Sequence, residues 1–181
     1  MKTYGPNTYL SPFTWRYGSD PMREVWSLSH QRLIWRRIWV AMAETQCELG
    51  LVSQAQVDDL KANMHRVDLT RAAEIEAEIR HDVMAEVKTF GEQCEIGGGI
   101  VHLGATSMDV QDNADAIRLS EGLEIIIEKV KGLLRRMGEQ ILETAQHTTM
   151  AFTHLQPAEP TTVGYRLAQY AQDLLWDLSE L

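Results

Sequence analysis

Apolar residues recur three and four positions apart along most of this chain, a spacing that predicts helices. Ile34, Trp35, Ile38, Trp39, Met42 and Ala43 share one face of a helix that Asp20-Pro21 opens and that runs to about Leu49, with Gly50 as the stop. That stripe reads as core rather than as a cofactor box. Ser53 caps a shorter helix through about Met64, and Asp68 caps another from Leu69 to about Ile79. Val83, Val87 and Phe90 then lie on one helical face, with Asp82 where a helix begins or is re-aimed. The longest pattern runs from about Met108 to about His147 without a proline, through Val110, Ala114, Ile117, Ile126, Val130, Leu133, Met137 and Ile141. Gly122, Gly132 and Gly138 lower its propensity without breaking it. Such a helix is about 55–60 Å long, beyond the span of a small globular domain. Its apolar face is therefore expected to be covered by other subunits.

Less regular segments lie between the helices. Gly5, Pro6, Pro12 and Gly18 make residues 1–19 an irregular arm. Gly97-Gly98-Gly99 precedes a short apolar run that leads into the long helix, and is too bare to count as a phosphate cradle. Pro157 and Pro160 forbid a regular helix over 148–160 and predict an extended connection. Thr161 or Thr162 starts a last helix, with Val163, Leu167, Tyr170, Leu174 and Leu178 on one side. That pattern is still running at Leu181, so the chain reads as cut. The whole predicts an all-α protein, with a small helical domain over 1–105 and the first long helices of a bundle over 106–181.

Composition narrows the function classes. The chain has 181 residues, 44% of them hydrophobic, enough for a sizeable core. A net charge of −9 argues against nucleic acid or an anionic membrane as the main partner, but leaves room for a local basic pocket. Cys47 and Cys94 have neither metal-ligand spacing nor a disulfide framework, and no metal site is expected. Free thiols without a signal peptide suggest the cytoplasm. No apolar run approaches the length of a bilayer span.

Four places carry candidate chemistry. Thr106 and Ser107 sit at the start of the long helix, where hydroxyls cap free N–H groups and where an anion is also favoured. Either a well-capped helix or an anion site fits the spacing. Arg16-Tyr17 is either a solvated Arg beside a packed Tyr or a grip for a phosphate or carboxylate. Arg80-His81-Asp82 joins a cation, an imidazole and a carboxylate, which are either a solvated junction or a unit in which the carboxylate sets the imidazole's tautomer. His102 and His154 are the best titratable candidates because both are expected in loops at helix ends. No nucleophile elbow, Gly-rich nucleotide loop or zinc-ligand spacing is present.

Taken in order, these stretches form a recognisable series. Arg16-Tyr17 is followed by Arg80-His81-Asp82-Val83-Met84-Ala85 and by His102-Leu103-Gly104-Ala105-Thr106-Ser107 with Asp112-Asn113. Phe152-Thr153-His154-Leu155-Gln156-Pro157 with Thr161-Thr162-Val163-Gly164 completes it. The series resembles the N-terminal part of the adenylosuccinate lyase family, within the fumarase/aspartase superfamily, over essentially the whole chain. The resemblance implies a fumarase/aspartase-type helical bundle and a cofactor-free β-elimination of fumarate from adenylosuccinate, giving AMP. It implies the same cleavage of a succinylated aminoimidazole carboxamide ribonucleotide. A purine nucleotide and fumarate are the implied small-molecule partners, and a homotetramer is the implied assembly.

By the same resemblance, His154 is the general acid that protonates the departing nitrogen. Thr106 and Ser107 hold a succinyl carboxylate, and Arg16 and Tyr17 bind the nucleotide end. Arg80, His81 and Asp82 hold the substrate and orient the acid, and His102 lies near the phosphate. The family's base is a serine on a Ser-Ser-x-Met-Pro-x-Lys-x-Asn-Pro-like loop that does not occur here. The chain is therefore expected to be an inactive piece of a lyase. The alternatives are a sister lyase of the same superfamily and a non-catalytic helical oligomerisation protein that retains the scaffold.

Overall fold

A computed structural model describes residues 11–181. The described part of the expected irregular arm contains a helical turn at Phe13–Tyr17. Helices α1 (Asp20–Val25) and α2 (Leu28–Glu48) follow, where a single helix from Asp20 was expected. The break has two causes. Ser27 caps α2, its side chain accepting from the His30 N–H at 3.2 Å. Arg118 donates from Nε to the Val25 carbonyl at 3.1 Å, satisfying an oxygen at the end of α1, and its guanidinium lies 4.6 Å from the Trp26 ring centroid.

Helix α3 (Gln54–Asn63) opens with a reciprocal capping box between Ser53 and Gln56. Helix α4 (Leu69–Ile79) is capped by Asp68, which accepts from the Arg71 N–H at 2.9 Å. Helix α5 spans Asp82–Glu92, and a 3₁₀ turn follows at Gly98–Ile100. The glycines before the long helix serve close packing. A Cβ on Gly98 would lie 2.4 Å from the Gly91 carbonyl oxygen, and one on Gly97 would lie 2.6 Å from that of Gln56.

Helix α6 (Ser107–Glu143) is 37 residues long. Strands β1 (Thr148–Thr153) and β2 (Gln156–Thr162) then pair antiparallel, and α7 (Val163–Glu180) ends the chain, capped by the Thr162 side chain. Prolines in the 148–160 segment exclude helix but are tolerated in a two-stranded hairpin, whose strands are both edges. The expected extended connection is thus a hairpin, the only sheet among the described residues of an otherwise helical chain.

The described residues form two compact units, one up to Ser120 and one from Glu121 to Leu181. In the first, Trp35 and Trp39 of α2 pack with Phe90 of α5 and with Val57, Leu60, Val110 and Ala114. Beside this core Arg36 and Glu86, both fully buried, pair at 2.7 Å, and the Arg32 Nε is 3.9 Å from the other Glu86 oxygen. In the second unit Gly164 lets α7 start against the end of α6. A Cβ there would lie 2.6 Å from the Ile141 carbonyl oxygen, and the Gly164 N–H donates to the Thr144 carbonyl at 3.0 Å.

Candidate functional site

The site in the first unit is built where three segments meet: the α4–α5 junction, the loop before α6 and the first turns of α6. At the junction Arg80 closes α4 in the left-handed region at φ 58°. His81 is the N-cap of α5, and its Nδ1 accepts from the Met84 N–H at 3.3 Å. The Asp82 carboxylate lies 3.7 Å from that nitrogen, too far for a hydrogen bond, and instead accepts from Gln111 Nε2 at 3.1 Å. Asp82 therefore ties α5 to α6 rather than setting the His81 tautomer. Gln111 is four residues beyond Ser107, on the same side of α6, so this contact holds the junction beside the start of that helix.

At the start of α6 the backbone N–H of Thr106 donates to the Asp109 carboxylate at 2.8 Å. This is the back-reaching half of a capping box. The Thr106 and Ser107 hydroxyls make no hydrogen bond among the described residues, so they remain available alongside the free N–H groups of the first turn. Such a cluster of donors suits a carboxylate.

His102 precedes them with φ 70°, a conformation that costs a non-glycine residue about 1–2 kcal/mol. Its Nδ1 accepts from the Trp39 indole N–H at 3.0 Å, with the rings edge to face and centroids 5.8 Å apart. Burial pushes the His102 imidazole below its ordinary pKa, Asp109 pulls it up and His81 pushes it further down. The loop is also held at Leu103, whose carbonyl accepts from Gln46 Nε2 at 2.9 Å.

His154 lies in the second unit, at the hairpin tip. Thr153 pairs with Gln156, which leaves His154 and Leu155 as a two-residue turn with φ 48° and 63°. Positive φ at both positions is the type I′ pattern, which usually takes Asn-Gly. His154 is exposed. Arg16 and Tyr17 sit in the helical turn near the start, the guanidinium 5.9 Å from the neighbouring ring centroid. Among the described residues they make no hydrogen bond or ion pair to the other candidates.

Left-handed backbone marks Arg80, His102, His154 and Leu155, the non-glycine residues with positive φ among those described. Such strain concentrates at functional sites. Trp39 and Gln111 were not singled out in the sequence. Trp39 is indistinguishable from core in an apolar stripe, whereas the spacing of Gln111 from Ser107 was a usable signal. Cys94 is an inert thiol, pushed up to about 11 by burial and by Asp59. Among the described residues no group of three or more His, Cys, Asp or Glu side chains is placed to hold a metal ion, and no helix is long and apolar enough to cross a membrane.

Comparison with known proteins gives the same direction. The adenylosuccinate lyase of Schistosoma mansoni is 42% identical over 96% of this chain and 36% of its own length. That of Saccharomyces cerevisiae is 39% identical over 95% of this chain and 36% of its own length. The chain thus spans little more than a third of these relatives. Among solved structures, a fumarate lyase from Mesorhizobium sp. BNC1 superposes with a TM-score of 0.84 at 21% identity, over 91% of this chain and 39% of that one, which shows a shared fold. A 3-carboxy-cis,cis-muconate lactonizing enzyme from Pseudomonas putida does so with a TM-score of 0.77 at 28% identity, over 93% of this chain and 40% of that one. The family pattern described as lyase matches residues 16–181, and the chain belongs to that lyase family.

Proposed function

We propose that this chain is the N-terminal part of an adenylosuccinate lyase, which eliminates fumarate from adenylosuccinate and from the succinylated aminoimidazole carboxamide ribonucleotide of purine synthesis. The observation that carries this reading is the likeness, along nearly all of the chain, to relatives bearing that name. The elimination removes a proton beside a carboxylate and breaks a C–N bond, so it needs an acid, a base and donors for the charge that develops. His154 is the acid that protonates the departing nitrogen, a task for which imidazole is the usual side chain. Thr106 and Ser107 hold a succinyl carboxylate at the start of α6, and their unengaged hydroxyls support that role. Arg80, His81 and Asp82 hold the substrate, Asp82 being anchored by Gln111. His102, Arg16 and Tyr17 serve the phosphate end.

The reaction calls on no cofactor. The complete enzyme is a cytoplasmic homotetramer whose long helices form the shared core. The base signature does not occur in these residues, so the isolated chain is expected to release no fumarate. The test is fumarate release from adenylosuccinate by the longest product of the gene, with and without His154→Gln. Turnover should fall by about 10²–10⁴-fold in the variant. Unchanged turnover in His154→Gln, or turnover by the isolated chain, overturns the assignment.

A further inference from the structure

The indole of Trp39 is 2% exposed, and its N–H has one partner among the described residues, Nδ1 of His102 at 3.0 Å. An indole nitrogen donates and cannot accept. The imidazole nitrogen facing it must therefore carry a lone pair, which puts the proton of neutral His102 on Nε2. A proton on Nδ1, in either the other tautomer or the imidazolium, would set N–H against N–H and leave a buried indole donor without an acceptor. The arrangement is braced on several sides. Trp39 stacks on Phe90 of α5, with centroids 6.3 Å apart and planes 25° apart. Gln46, two turns along α2 from Trp39, holds the next peptide of the loop through the Leu103 carbonyl. The left-handed backbone of His102 directs its ring, and its own carbonyl accepts from the Ala105 N–H at 3.2 Å.

We infer that Trp39 is a positioning residue: it holds His102 neutral with its proton on Nε2, so that His102 meets an anionic ligand as a hydrogen-bond donor rather than as a cation or an acid. The ligand is of the nucleoside monophosphate class, and this part rests on the proposed placing of His102 at the phosphate end. The ionisable groups that act on the imidazole are Asp109 of α6, which favours a second proton, and His81 at the start of α5, which disfavours it. Burial opposes the charge as well. The role differs from that proposed for His154, which is exposed at the hairpin tip and would act as an acid.

The test is nitrogen NMR of the histidine-labelled chain across pH, with AMP as the probe ligand. Expected for His102 is the Nε2–H tautomer at neutral pH and a midpoint below that of a free histidine. Trp39→Phe keeps an aromatic ring but removes the donor, so it should release the tautomer into a mixture and move the midpoint up. Should that variant fail to fold, the indole N–H resonance of Trp39 in the unaltered chain serves instead, and it should shift together with the titration of His102. An Nδ1–H tautomer, an ordinary midpoint, or an indole resonance indifferent to that titration overturns the positioning role. AMP should move the His102 Nε2 resonance. The expected tautomer with no response to AMP overturns the donor role and the assignment of His102 to the phosphate, but not the indole–imidazole bond.

Discussion

His154 and Leu155 are poor residues for the turn they make. Each sits at positive φ, where a side chain costs about 1–2 kcal/mol, and a stability-driven sequence would place Asn-Gly there. The hairpin thus holds an imidazole at its tip against local preference, which supports the acid role proposed for it. Leu155→Gly should relieve the strain while adding the larger chain entropy of glycine, for a net gain of about 0.5–1 kcal/mol. The expected readout is a melting temperature higher by about 1–3 °C. A lower melting temperature would mean that the exposed Leu155 side chain contributes more than its backbone costs.

Among the elements, α2 and α5 are joined by charge as well as by apolar packing. Glu86 lies one turn beyond Asp82, and burial raises its pKa while Arg36 pulls it back. Arg36 also donates to Gln93 Oε1 at 2.8 Å and lies 4.6 Å from the Phe90 ring centroid, whereas Arg32 lies 4.1 Å from that of Trp35. Glu86→Gln would leave two buried guanidinium groups without their counter-charge and should cost about 3–5 kcal/mol in a denaturant titration. Replacing the three together, Arg32→Met, Arg36→Leu and Glu86→Leu, should cost much less, since apolar groups of similar volume often substitute for a buried ion cluster. Equal losses in the two variants would show that the cluster's packing, not its charge balance, holds α5. The junction residues Arg80, His81 and Asp82 hang from this same helix start, so its firmness bears directly on the site.

For the molecule as a whole, the apolar stripes of the second unit are the main unsolved burial problem. Leu133 is 47% exposed and Trp176 is 64% exposed, and Leu123, Ile126 and Tyr170 are exposed with them. Apolar surface in such continuous stripes marks an interaction face. The chain should therefore self-associate in sedimentation, and Ile126→Glu with Leu133→Glu should weaken association at least about tenfold, or about 1.4 kcal/mol. A chain that stays monomeric at about 100 µM, where even an affinity of about −5.5 kcal/mol would show, contradicts a shared helical core.

Helix positions were legible in the sequence because their signals are local. Ser53, Asp68 and Thr162 cap the helices predicted for them, and the α2 stripe is buried as its period requires. The division at Trp26–Ser27 was not legible, since Arg118, far along the chain, takes the Val25 carbonyl. Nor was the hairpin, whose pairing is a property of two segments rather than of either one. At the site, the residue types and their order could be read, and they carried the family likeness. Their connections could not: Asp82 bonds Gln111 rather than His81, and Trp39 bonds His102 across 63 positions. Capping and amphipathic period act within a few residues and are written into the chain. Tautomers, buried charge pairs and unengaged hydroxyls depend on which distant group arrives within about 3 Å, and only the tertiary structure decides that.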